Sequence, residues 1–252
     1  MNELFICGQN IGAITNNVKA DLHKHWLLQI FVAVDEKLVI KVEGQKISCR
    51  AIVINANIMH EFQTGEVIHF TMLINPTSLL GRSIRKYYLR GNPYYILSED
   101  RAIELQKLLL NHIKVDNSND YSEVIKNVYH YFDNKILTEF DQRIESMLRM
   151  LNTYHSDKTA SRVKYIAKAM YLSESRLSHL FKEETGIPLK SYLVHHNLLS
   201  VYEKIFDGES ITDAALGSGF DSSAHFAYTN KKMTGMSARD IIKNSRFLKA
   251  SF

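Results

Sequence analysis

A chain of 252 residues is long for one compact core and sufficient for two domains, and 45% hydrophobic with 23% charged residues is an ordinary globular balance. No apolar run approaches the roughly 18 residues that cross a bilayer, and the opening MNELFICGQNIGAI lacks the basic and apolar regions of a secretion signal. The formal net charge is +4, and the only cysteines, Cys7 and Cys49, exclude a disulfide framework and a zinc ribbon and fit a reducing cytoplasm.

Residues 1 to about 75 carry short β-branched runs: LLQIFVAV (27–34), KLVIKV (37–42), AIVI (51–54) and VIHFTMLI (67–74). Asp35-Glu36, Glu43-Gly44 and Thr64-Gly65 separate them as turn signals, and Glu43-Gly44 before Lys46–Ser48 predicts a tight hairpin. Strands at this spacing predict a small barrel or jelly roll. Asn75-Pro76-Thr77 breaks the pattern. SLLGRSIRKYYL (78–89) reads as a helix weakened by Gly81.

From Ser98 the period becomes helical, with Ala102, Leu105, Leu108 and Leu109 on one stripe. The polar stretch 116–120 ends that helix, and two further helices are expected over 121–134 and 141–154. His155–Thr159 is the linker candidate. The expected fold class is therefore α+β. Residues 1–155 form a β-rich domain with C-terminal helices, and residues 156–252 an all-α domain.

The charge divides along the same line. Residues 1–155 hold 17 basic and 17 acidic residues, whereas residues 156–252 hold 14 basic against 10 acidic. A basic surplus is the footprint of polyanion binding and also occurs on an ordinary solvated surface. The motif that sharpens it is RVKYIAKAMYLSESRLSHLFKEETGIPLKSYL (162–193). Val163, Ile166, Ala167 and Met170 line one face of a first helix, Ser173 caps the next, and Leu177, Leu180 and Phe181 form its inner face. Its outer face presents Ser175, Arg176, Ser178, His179 and Lys182, groups suited to base edges and phosphates in a major groove. Gly186 stops this helix and Pro188 opens a long one to 206. The pattern then repeats. Ser210–Asp213 reads as a capping box, and Ala215 matches Ala167 as a small residue at a tight crossing. Gly219-Phe220 makes the turn, and a second outer face carries Ser223, His225, Tyr228, Lys231 and Lys232.

Two such units joined by a helix resemble the AraC/XylS family of bacterial regulators over roughly residues 160–245. The most specific pieces are IAKAMYLSESRLSHLFKEETG (166–186) and SITDAALGSGFDSSAHF (210–226). The resemblance implies double-stranded DNA as partner, read in two successive major grooves about 34 Å apart. It also implies RNA polymerase contact if the protein activates. Departures cluster in the second half: Asn197 on the linking helix, then Ala224, Tyr228, Asn230 and Ala238, stand where the family favours arginine, serine, arginine, phenylalanine and proline. Asn230 would set an amide where a core aromatic packs, which should loosen that unit or move the amide to an edge.

The front domain resembles the cupin-like domains of such regulators. Enzymatic cupins hold a metal with two histidines, a glutamate and a third histidine. Here His23, His25 and His60 occur, with Gln29 near the glutamate position. An amide is a poor metal ligand, so no metal, cofactor or catalytic residue is expected. His23, His25, Trp26, Gln29, Phe31 and His60 are instead the candidates for a small-molecule effector pocket. Leu105, Leu108, Leu109 and Ile113 are candidates for a homodimer contact through residues 98–115 or for burial within the chain. The function expected is a cytoplasmic, sequence-specific transcription regulator without membrane contact. The alternatives are a degenerate regulator acting through protein contacts and, from another class, a cupin-type metal enzyme.

Overall fold

In LVIKV (Leu38–Val42) Leu38, Ile40 and Val42 are buried while Val39 and Lys41 face water, the alternation of a strand with one face on a core. By contrast LQIFVA (Leu28–Ala33) is buried on both faces except for the half-buried Gln29, as in a strand covered on both sides. The computed structural model describes residues 2–16, 18–63, 67–115, 122–132, 140–153, 159–243 and 245–249. The turn expected at Thr64-Gly65, the polar stretch 116–120 and the linker up to 158 lie outside these residues.

The front half runs β1 (Asn2–Cys7), β2 (Asn10–Thr15), β3 (Lys19–His23), β4 (Leu28–Ala33), β5 (Leu38–Val42), β6 (Gln45–Cys49), β7 (Ala51–Ile54), β8 (His60–Gln63) and β9 (His69–Ile74). Helix α1 (Leu79–Ser83) continues as a wider turn over Ile84–Leu89, followed by β10 (Tyr94–Ile96), α2 (Glu99–Val115) and α3 (Ser122–Phe132). The back half holds α4 (Gln142–Thr153), α5 (Thr159–Ala169), α6 (Glu174–Thr185), α7 (Leu189–Phe206), α8 (Ile211–Gly217), α9 (Ser223–Thr234), α10 (Ala238–Ile242) and a last strand, β11 (Arg246–Lys249).

The described strands form two sheets and not a closed cylinder: β10-β7-β4-β9-β2-β1-β11 and β3-β8-β5-β6. Between them pack Phe31, Ala33, Leu38, Ile40, Ile52, Ile54 and Phe62. The other face of the larger sheet, with Ile30, Val32, Val53, Phe70 and Met72, is covered by Leu80, Ile84, Ala102, Leu105, Leu109, Ile125 and Phe132. The front half is thus a cupin-like sandwich with helices on one side. The hairpin at Glu43-Gly44 forms as expected, with both residues at positive φ, 49° and 79°. Gly81 has a positive role as well: a Cβ there would strike the backbone of Asn75 and lie 2.7 Å from the Pro76 Cα. Leu105 and Leu109 are spent inside the front core, which leaves Leu108, 36% exposed, as the apolar residue of that stripe at the surface.

Compact units do not follow a single cut between residues 155 and 156. One comprises Met1–Ile136 together with Asn230–Phe252, the other Leu137–Thr229. The reason is the return of the chain end: β11 adds to β1 as a parallel strand, with Glu3 opposite Arg246 and Ile6 opposite Lys249. Neither RFLK nor the first 23 residues, which supply β1, β2 and β3, hold one of the β-branched runs.

Candidate functional site

Helix α6 begins at Ser173, whose hydroxyl accepts from the Arg176 amide at 3.2 Å, and ends at Gly186 with φ 75°. Leu177, Leu180 and Phe181 are buried beneath it, and Phe181 meets Tyr192 of α7 with ring centroids 5.2 Å apart. Ser175, Arg176, His179 and Lys182 are exposed, and Ser178 is half-buried with its hydroxyl donating to the Glu174 carbonyl. Among the described residues the side chains of Arg176, His179 and Lys182 make no hydrogen bond or ion pair, which leaves their donors open to an external acceptor.

The second unit repeats this construction. Ser210 caps α8 by accepting from the Asp213 amide at 3.1 Å, and Ser222 accepts from the His225 amide at 3.1 Å. Ala214 and Ala215 are fully buried, as is Ala167 in the first unit, because a β- or γ-branched side chain would hold the crossing helices apart. Phe226 is buried against Phe220 and Tyr202. Even the helix ends match: Thr185 donates to the Phe181 carbonyl and accepts from the Ile187 amide, while Thr234 does the same with Asn230 and Met236. Asn230 therefore occupies the place of Phe181. It sits at no edge: it is 0% exposed, and its amide donates to the Met236 carbonyl at 3.0 Å. A polar group that closes the turn after α9 replaces an aromatic that fills a core.

The outer face of α9 is occupied in part. Tyr228 is 69% exposed, His225 lies 3.2 Å from Asp221, and Lys231 reaches Asp21 of β3 at 3.3 Å. The Asp21 amide donates to the Gly235 carbonyl, and Gly235 has φ 71°. A Cβ at Gly235 would lie 2.7 Å from both the Asp21 carbonyl oxygen and His23 Nδ1. These contacts of Asp21 and Gly235 are not visible in local sequence. Gly235→Ala should lower stability by about 1–3 kcal/mol, since it adds a backbone collision to positive-φ strain. Gly208→Ala is the control, with φ 97° and nothing within 4 Å of its Cβ. Equal losses in thermal unfolding would mean that the chain end does not pack on β3 in solution.

In the front domain His23, His25 and His60 come together, buried, with one ring nitrogen of each within 4.8 Å of the others. Each offers its Nδ1 to a backbone carbonyl: His23 to Asp21 at 2.7 Å, His25 to Leu27 at 3.0 Å and His60 to Ile58 at 2.8 Å. Gln29 Oε1 faces His25 Nε2 at 3.2 Å and His60 Nε2 at 3.0 Å, and Gln29 Nε2 donates to Thr71 Oγ1 at 3.2 Å. Burial lowers the pKa of all three imidazoles, that of His60 to about 4 and that of His25 well below its usual value, with each other's charge adding to the effect at His25 and His60. All three are neutral at pH 7. Phe31 lies deeper between the sheets beside Phe62, while Trp26 is half-buried. His69 and Thr71, not singled out from sequence, line the same interior. Burial holds the His69 pKa at about 4, and its Nε2 has no hydrogen-bond partner among the described residues. They share the inward phase of β9 with alternate apolar residues pointing to the helices, a phase that becomes readable only once β9 is paired with β4.

A family model for the helix-turn-helix domain matches residues 166–244. Among curated proteins no sequence relative was found. Among solved structures the chain is similar to ToxT from Vibrio cholerae O395, with a TM-score of 0.57 at 12% identity over 94% of this chain and 99% of that one. An apo ToxT variant from strain SCE256 gives a TM-score of 0.58 at 11% identity over 92% and 96%. Unsaturated fatty acid-bound ToxT from that strain gives 0.53 at 12% over 90% and 92%. The paired capped units and the matched model give residues 166–244 a helix-turn-helix domain, and the fold of the chain is similar to that of ToxT.

Proposed function

We propose that the protein recognises operator DNA through the exposed faces of α6 and α9 and that its front domain answers to a small molecule. The observation that carries the first part is the outer face of α6, where Arg176, His179 and Lys182 present unengaged donors on a helix fixed by Ser173 and Gly186. Arginine is suited to guanine edges, and lysine to phosphates. For the second part, support comes from the polar groups buried between the sheets, Gln29, Thr71 and His69, and from the structural neighbour described as bound to an unsaturated fatty acid. Such a protein works in the cytoplasm, where the DNA is. A homodimer contact through residues 98–115 would draw on Leu108.

The degenerate-regulator alternative drew on Asn197, Asn230 and Ala238. Against it stand the hydrogen bond of Asn230 within its turn and the burial of Ala238 at the start of a helix capped by Ser237. The metal-enzyme alternative leaves residues 166–244 without a role.

Binding of full-length protein to its own upstream DNA should weaken steeply with salt. Each neutralised phosphate contributes about 0.9 to the slope of log K against log salt. Fluorescence anisotropy at several salt concentrations measures it. A flat salt response, or equal affinity for every sequence, would refute the operator-binding reading.

A further inference from the structure

We propose that His23, His25 and His60, with the Gln29 side-chain oxygen as fourth donor, form a binding site for a divalent first-row transition metal such as Zn2+. The amide at position 29 weighs against a metal when only residue types are compared. The geometry adds what residue types do not show. A backbone carbonyl can only accept, so each histidine must carry its proton on the Nδ1 that meets Asp21, Leu27 or Ile58. For His25 and His60 the Nε2 is then a lone pair, whereas the His23 ring also meets the backbone of His60. Imidazoles that ligate a metal are held in this manner, by a second-shell acceptor on the opposite nitrogen.

The centre has a surplus of acceptors. Gln29 Oε1 faces two of the Nε2 lone pairs at 3.2 and 3.0 Å, and its NH2 group is turned away toward Thr71. Acceptor against acceptor repels unless a cation lies between them. Turning the amide over is the competing solution. Its NH2 would then donate to His25 and His60, and the Thr71 hydroxyl would donate to its oxygen. A cation uses the amide as it stands and draws in His23 as well, whose ring centroid is 4.3 Å from that of His60 and 5.5 Å from that of His25. Three neutral imidazole nitrogens and one oxygen suit Zn2+ and its neighbours in the series, and the absence of a carboxylate disfavours Mg2+ and Ca2+. The four residues come from β3, the β3–β4 segment, β4 and β8, so strands of both sheets hold the donors in place.

The test uses full-length protein stripped with chelator and titrated with Co2+, then with Zn2+ in competition. One equivalent per chain is expected, with the visible d–d absorption of a four-coordinate Co2+ that Zn2+ abolishes. His60→Ala should remove the signal. Because removal of a buried ring also perturbs the fold, the deciding variant is Gln29→Glu, of the same size but supplying a negative oxygen. It should bind at least about tenfold more tightly, because a carboxylate offsets part of the charge that the neutral donors leave. Thr71→Val frees the amide and should weaken binding by roughly 10–100-fold. No stoichiometric uptake by the wild type, or a Gln29→Glu chain with unchanged affinity, would overturn the assignment. The amide would then be the turned-over clamp on His25 and His60.

Discussion

Arg176→Ala and His179→Ala are each expected to abolish most of the discrimination between operator and scrambled DNA. A lost base-edge contact costs about 1–3 kcal/mol at the cognate site, or roughly 5- to 150-fold in affinity, and nothing where the contact was never made. The structure supports this on two counts. The helix beneath these residues is held by a hydroxyl cap and by buried Leu177, Leu180 and Phe181, so their backbone positions are set. Their side chains are not tied to neighbours among the described residues. On α9 the situation differs, because Lys231 is paired with Asp21 and His225 lies beside Asp221. His225→Ala and Lys231→Ala should therefore lower affinity for both DNAs by similar factors, as loss of a phosphate contact does. Competition binding at fixed salt separates the two effects. If the α9 changes erased discrimination while the α6 changes spared it, the roles of the two helices would be reversed.

Phe181→Ala should lower stability by about 3–5 kcal/mol, a large part of the total for a helical domain of this size. Its ring is fully buried and packs edge-on to Tyr192, so truncation opens a cavity that the helices around it cannot close. Asn230→Ala, at the matching place in the second unit, removes a smaller side chain. It removes the 3.0 Å donor of the Met236 carbonyl, which keeps the Thr234 hydroxyl at 3.2 Å, so the loss is that of one hydrogen bond, about 0.5–1.5 kcal/mol. Denaturant unfolding of the two variants gives the comparison. A loss at Asn230 equal to that at Phe181 would mean that the second unit depends on its buried amide as heavily as the first depends on its aromatic.

The helical half was legible because its rules are local. Apolar spacing at i, i+3 and i+4, serine caps and terminal glycines act within a few residues, and the structure places α6 and α7 within about a residue of the expected bounds. The tight hairpin at Glu43-Gly44 is local in the same sense. Strand pairing is not. The run at β4, apolar but for Gln29, shows that both faces are covered, yet which face meets the helices and which meets the second sheet follows from partners up to 46 residues away, such as Leu28 opposite Ile74. That phase decides that Gln29, Thr71 and His69 point inward.

Sequence alone brought the three histidines and Gln29 to notice as residue types, and with them the argument from the missing carboxylate. Only the fold shows that backbone carbonyls take every Nδ1 and turn the other nitrogens of His25 and His60 toward one amide. The chain end is the clearest limit. RFLK carries no strong strand signal, and a parallel edge strand gains its hydrogen bonds from β1, some 240 residues earlier. Propensity and periodicity in a short window cannot register a partner that distant, whereas closing the chain on an open sheet edge satisfies backbone groups that would otherwise face water.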